Sequence, residues 1–279
     1  MIVLLAIPQS GLFAQRVIRI VPPQGENDRR HEYTVKILTT ALEMTKAEYG
    51  NFELRNADTK MNDQLAITNM LNNRGVDIYW AMTDTRLESI LRPVRIPILK
   101  GLIGARLLLY NRRHTSAIGG LANDDDLKEI TMLQGALWAD TRILRANGFN
   151  VSTSPVYDEL FEMLGGQQVR VFPRAVHEIW DELETHRNNF IAIDNQFLLY
   201  YPTAMYYFVR QGDENLAERI EKGLEMMIKD GTFEALFNEH MADKIRRSKI
   251  PERKIIRLQN PLLPEKTPIG IERYWYSFD

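Results

Sequence analysis

The chain has no cysteine. That excludes disulfides, thiolate metal sites and cysteine nucleophiles together, and no attachment through a lipid-modified N-terminal cysteine is expected. An excess of one charge sign is also lacking: 35 Lys and Arg face 37 Asp and Glu, for a formal net charge of −2. Nucleic-acid binders concentrate basic surface, so no nucleic-acid partner is expected. The basic clusters Arg246-Arg247-Ser248-Lys249 and Arg253-Lys254 read as solvated faces. No apolar run approaches the ~20 residues that span a bilayer. The histidines are His31, His114, His177, His186 and His240, none paired at the spacing of a helical metal site. Asp124-Asp125-Asp126 reads as a charged helix start, and no metal is expected there. There is no Gly-x-Gly-x-x-Gly after a strand, no phosphate loop ending in Gly-Lys-Ser/Thr and no strained serine elbow. No cofactor and no catalytic residue are therefore expected.

What is present describes a soluble globular chain. Apolar residues at 44% and charged residues at 26% suffice for a substantial core, and 279 residues make one large domain or two ordinary ones. Met1 to Ala6 is almost purely aliphatic, Pro8-Gln9-Ser10-Gly11 breaks it, and Leu12-Phe13-Ala14 precedes a polar chain. That order resembles the end of a secretory signal, so residues 1–14 are expected to be removed on export. The alternative is a buried first strand.

From Val17 onward, short apolar runs alternate with amphipathic stretches, as in parallel strands joined by helices. Val17–Val21, Phe52–Asn56 and Val76–Trp80 are predicted strands, with helices over Tyr33–Ala47 and Met61–Leu71 between them. Leu102–Tyr110 is a long apolar strand that opens a second set. Strands are predicted over Ile130–Leu137, Phe149–Ser152, Val169–Phe172 and Tyr206–Val209. Asp140 is read as a helix cap, and Ser154-Pro155 as the opening of another helix. Two strong helices, Asn215–Lys229 and Thr232–Arg247, are divided by Asp230-Gly231. The proline-rich chain from Ile250 reads as an extended surface tail.

Four stretches carry a likeness that spans nearly the whole chain after residue 14. They are Asp77 to Arg86 (a strand ending in Thr83 with Arg86 nearby), Arg95 to Leu102, Val171-Phe172-Pro173-Arg174 with Glu178, and Tyr206 to Arg210 followed by Lys229-Asp230-Gly231-Thr232-Phe233. In order and spacing they resemble the bacterial extracellular solute-binding proteins of family 3, as a divergent subgroup. The resemblance implies an α/β, two-lobed type II periplasmic binding protein fold, each lobe a sheet flanked by helices, joined by two crossing strands. It assigns residues 15–103 and 206–249 to one lobe, 104–205 to the other and 250–279 to the tail. It also implies a non-enzymatic periplasmic monomer that captures a small-molecule ligand for an inner-membrane ABC permease or a sensor kinase. The rivals are a dehydratase-like or lyase-like enzyme on the same fold, or a sensory module that binds no ligand.

By resemblance, Arg86 is the match to the arginine that grips a ligand carboxylate, with Arg92 and Arg95 as competitors. Trp80 stands at the end of the same strand, where an aromatic ring can stack on a ligand. Trp138, Asp140 and Thr141 mark a strand-to-helix junction able to offer N–H groups and a hydroxyl. Where the family usually has an aspartate for an ammonium group, this sequence has Arg174, followed by Glu178. The expected ligand-binding set is thus Trp80, Thr83, Arg86, Trp138, Asp140, Thr141, Arg174 and Glu178. Paired arginines at Arg86 and Arg174 would favour a carboxylate-bearing ligand.

Overall fold

Apolar residues on alternating strand positions and on single helix faces sort this chain into two lobes with separate cores, the first built on a two-stranded and a three-stranded sheet and the second on a seven-stranded one. The computed structural model describes residues 15–23, 30–59, 61–186 and 190–278. The expected signal, residues 1–14, lies outside the described residues.

In the first lobe, β1 (Arg16–Ile20) pairs in parallel with β2 (Phe52–Asn56), and α1 (Arg30–Met44) and α2 (Lys46–Tyr49) connect them. After α3 (Asp63–Leu71), Ile78 bridges Ile20 in parallel just before β3 (Tyr79–Met82). The helix α4 (Thr85–Ile90) leads into β4 (Leu91–Val94). A late strand, Met205–Arg210, then inserts between β3 and β4, antiparallel to both. Helix Glu214–Asp230 covers this sheet by burying Leu216, Ile220, Leu224 and Met227 along one stripe, the spacing of an amphipathic helix.

The second lobe is built on β5 (Ala105–Asn111), every residue of which is buried. Successive side chains of a strand point to opposite faces. Leu107 and Leu109 accordingly enter one core while Leu108 and Tyr110 enter another. A strand buried on both faces reads as a continuous apolar run, and Arg106 is its one charged residue. Around β5 lie α5 (Thr115–Gly119), α6 (Asp124–Lys128), β6 (Thr131–Gly135), α7 (Ala139–Ala146), β7 (Val151–Ser154), α8 (Tyr157–Gly165), β8 (Arg170–Ala175), α9 (Ile179–Thr185), β9 (Ile191–Ile193) and β10 (Phe197–Tyr200). The late strand already described is β11, and it is followed by α10 (Glu214–Asp230), α11 (Thr232–Ser248) and β12 (Lys254–Arg257). The sheet order is β12-β10-β5-β8-β6-β7, with β9 also pairing with β5.

The chain passes between the lobes from Leu99 to Gly104 and from Tyr201 to Ala204, and again between α11 and β12 and along the tail. The first two of these segments touch backbone to backbone. Tyr201 N donates to Gly104 O at 3.2 Å, and a Cβ on Gly104 would lie 2.1 Å from the Tyr201 carbonyl oxygen. Only glycine permits that approach.

Three local expectations are corrected. Asp140 is not a cap: Trp138 holds the N-cap position of α7 without a side-chain bond, because the Asp140 carboxylate is drawn to Arg106. Helix α8 starts after Val156 rather than at Ser154-Pro155. Ser154 Oγ instead accepts from Val156 N and donates to Glu159. The tail is no loose surface chain. Its β12 adds a parallel edge strand to β10, and Ile256 and Leu258 are buried in the second lobe. The tail then returns to the first lobe, where Trp275 covers Gly101 and Tyr276 N donates to Lys100 O at 2.8 Å.

Candidate functional site

Where the lobes face each other, a cavity of about 880 Å³ opens, lined by both of them and by α11. From the first lobe come Tyr79 and Trp80 of β3, His31 of α1 and Asn62-Asp63 at the start of α3. The Trp80 ring is held edge-on to His31, with centroids 4.9 Å apart, and to Tyr207 at 6.4 Å. Edge-to-face packing of this kind fixes an aromatic side chain, leaving the rest of it to the cavity.

The second lobe contributes a buried network of charge. Arg106 donates from Nε to Tyr201 OH at 2.9 Å and from Nη1 to Glu178 Oε1 at 3.0 Å. Its Nη2 lies 2.7 Å from Asp140 Oδ1, and Tyr201 OH also donates to Asp140. Arg174 donates from Nε to Glu182 Oε2 at 2.7 Å and from Nη2 to Glu182 Oε1 at 2.5 Å. The same Nη2 lies 3.1 Å from Glu178 Oε1. Tyr157 OH donates to Glu182 Oε1 at 2.8 Å, and Ala175 N donates to Glu178 Oε1 at 2.9 Å. The Arg174 guanidinium lies beside two mutually stacked rings, 4.8 Å from the Trp138 centroid and 4.9 Å from that of Phe172. Arg174 Nη1 is the guanidinium nitrogen that this network leaves unused among the described residues.

Burial alone would lower the Arg106 and Arg174 pKa values, but Asp140 and Glu178 around the first, and Glu178 and Glu182 around the second, hold both above the ordinary range. Burial likewise pushes Glu178 up, yet Arg174, His177 and Arg106 outweigh it and keep the carboxylate well below its usual range. His177 is the contrast. Burial drives its pKa down to about 3, with Lys244, Arg106 and Arg174 adding to the effect against Glu178. It is a neutral imidazole at pH 7, and its buried Nδ1 has no hydrogen-bond partner among the described residues. Lys244 of α11 closes this side of the cavity, donating to His177 O at 2.7 Å and to Asp181 Oδ2 at 2.5 Å.

No family profile and no curated protein matches the sequence. Solved structures do. An ancestral arginine-binding protein bound to arginine superposes with a TM-score of 0.56 at 17% identity, covering 81% of this chain and 97% of its own. The GluR0 ligand-binding core from Nostoc punctiforme in complex with L-glutamate gives 0.53 at 13% identity, covering 81% and 98%. The substrate-binding protein of an amino acid ABC transporter gives 0.55 at 11% identity, covering 82% and 100%. The fold is that of a type II periplasmic binding protein.

Within that binding-protein fold, the residues singled out in the sequence divide. Trp80, Trp138, Asp140, Arg174 and Glu178 line the cavity together; Thr83, Arg86 and Thr141 do not. Arg86 is exposed on α4 and is not among the residues that line the cavity. Thr83 is buried beneath β3, donating to Glu88 Oε1 at 2.7 Å. Thr141 Oγ1 is spent on Gly135 O at 2.8 Å. The competing arginines are committed elsewhere: Arg92 approaches Glu214 at 3.3 Å and Arg95 approaches Glu88 at 2.5 Å. The expected pair of cleft arginines is not found, since Arg86 does not line the cavity and Arg174 is paired with Glu178 and Glu182. Sequence reasoning missed Arg106, His177, Lys244 and Tyr157. A signal for Arg106 existed, as the lone charge within the apolar run Leu102 to Tyr110. His177 stands directly before Glu178 and three residues after Arg174, whereas Lys244 and Tyr157 carried no signal, because distant elements bring them in.

Proposed function

We propose that this chain is a periplasmic solute-binding protein, a divergent relative of family 3, that captures a small polar solute between its lobes and presents it to an ABC permease or a sensor. One observation carries the reading: a cavity of about 880 Å³ lies at the junction of the lobes and is walled by both, with Trp80 on one side and Trp138 on the other. That volume lies in the range of small-molecule sites, roughly 300–1,000 Å³. Two linking segments in backbone contact suit a hinge, and closure strengthens every polar contact by excluding water. The structural neighbours named above include proteins solved with arginine and with L-glutamate. A catalytic reading gains nothing from Glu178, since a general acid needs a raised pKa and this carboxylate is held low.

The test is a thermal-shift screen of the purified protein against amino acids, dicarboxylates, sugars and amines. A ligand that binds only the folded state at a hundred times its Kd stabilises it by about 2.7 kcal/mol. A reproducible, saturable shift by one solute class supports the reading, and silence across the panel sinks it.

A further inference from the structure

Building on that reading, we propose that the cavity selects a small organic cation, an amine or guanidine without a carboxylate, rather than an acid or an α-amino acid. The inference starts from which charges in the lining are already spent. Its cations are Arg106, Arg174 and Lys244. Each is in an ion pair, with Asp140 and Glu178, with Glu178 and Glu182, and with Asp181 respectively. An incoming carboxylate would have to displace one of these carboxylates or share its partner.

The lining acids outnumber the cations. Glu32 of α1, Asp63 of α3 and Glu239 of α11 border the cavity as exposed residues and make no ion pair among the described residues, although Asp63 accepts a hydrogen bond from Tyr79. Unpaired carboxylates at the rim of a cleft raise the local concentration of cations. On the opposite wall His177 is 8% exposed and adds no positive charge at pH 7, because burial lowers its pKa to about 3. Trp80 adds an aromatic ring to the lining, and a ring face attracts an alkylammonium or guanidinium group. The free Arg174 Nη1 can still donate to a neutral oxygen.

The discriminating pair is agmatine and arginine, which share a guanidinium and differ by one carboxylate. Calorimetric titration of the full chain with agmatine, arginine and glutamate is the experiment. Agmatine should bind at least tenfold more tightly than arginine, and glutamate should give no heat. Glu32→Gln combined with Glu239→Gln should weaken agmatine about tenfold, whereas Glu265→Gln on the exposed tail should leave the affinity unchanged. Arginine or glutamate binding more tightly than agmatine would overturn the inference and leave solute binding intact. So would silence with agmatine while another solute of the panel binds. Silence across the whole panel would instead remove the solute-binding reading on which the inference rests.

Discussion

Arg142, on α7 of the second lobe, donates from Nη2 to Asp84 Oδ2 at 2.9 Å, and Asp84 is the N-cap residue of α4 in the first lobe. This ion pair spans the cleft, as Lys244–Asp181 also does, and it draws on a carboxylate that also caps a helix, through Leu87 N. Arg142 is half exposed, so the pair contributes little to stability, about 0–1 kcal/mol. Its effect should fall on lobe geometry. Arg142→Ala should leave the denaturation midpoint within about 0.5 kcal/mol of wild type while raising the radius of gyration of the ligand-free protein in small-angle scattering. An unchanged scattering profile would mean the pair does not restrain the lobes.

The Arg106 network should behave differently, because its members are buried. Arg106→Ala leaves Asp140 and Glu178 without their shared cation. Removing one partner of a buried pair typically costs about 3–5 kcal/mol. Urea denaturation should show a loss of that size, and a loss below about 1 kcal/mol would mean water reaches the network.

His177 gives a pH dependence whose sign follows from burial. Its folded pKa is lowered to about 3, below the unfolded value of about 6.5. Between those values the unfolded chain binds a proton that the folded chain refuses, so stability falls as pH falls. The slope is at most about 1.4 kcal/mol per pH unit for one group, and the stabilisation is complete above pH ~6.5. Glu178, also depressed in the folded state, adds a loss only as pH drops below its unfolded value of about 4.3. His177→Gln should therefore flatten the stability profile between about pH 4.5 and 6.5. A slope identical to wild type would mean the imidazole is protonated in the folded protein.

The tail should act as a strap. Trp275 packs over Gly101, with a ring carbon 2.6 Å from where a Cβ would sit, and its Nε1 donates to Pro268 O at 2.8 Å. Gly101 has φ +78, a conformation other residues rarely adopt. Trp275→Ala should cost about 2–4 kcal/mol, near the range for removing a large packed aromatic. Thermal denaturation measures it, and a neutral result would show that the strap adds nothing to the fold.

The alternation of apolar runs made the α/β class legible, and several elements were close to their predicted places; β2 runs over Phe52–Asn56, as predicted. Those are local patterns of period 2 and 3.6. The part of β12 was not legible, because Lys254–Arg257 is too short and mixed to signal a strand until β10 supplies a partner. The site was half legible for a similar reason. Trp80 lies in β3 and Trp138 at the N-cap that follows β6, close to the predicted strand ends, but whether an arginine is free depends on what folds back onto it. Glu178 and Glu182 stood four and eight residues after Arg174, close enough in sequence to have warned that its charge was taken. Nothing local warned that α4 would leave Arg86 facing solvent.

Capture between the lobes is the central claim, and hydrogen–deuterium exchange with and without the best solute of the panel tests it most directly. The claim predicts slowed exchange on both walls at once, at residues 79–82 of the first lobe and 174–178 of the second, with little change around β7 and α10. Protection confined to one lobe, or to a surface away from the cavity, would contradict it.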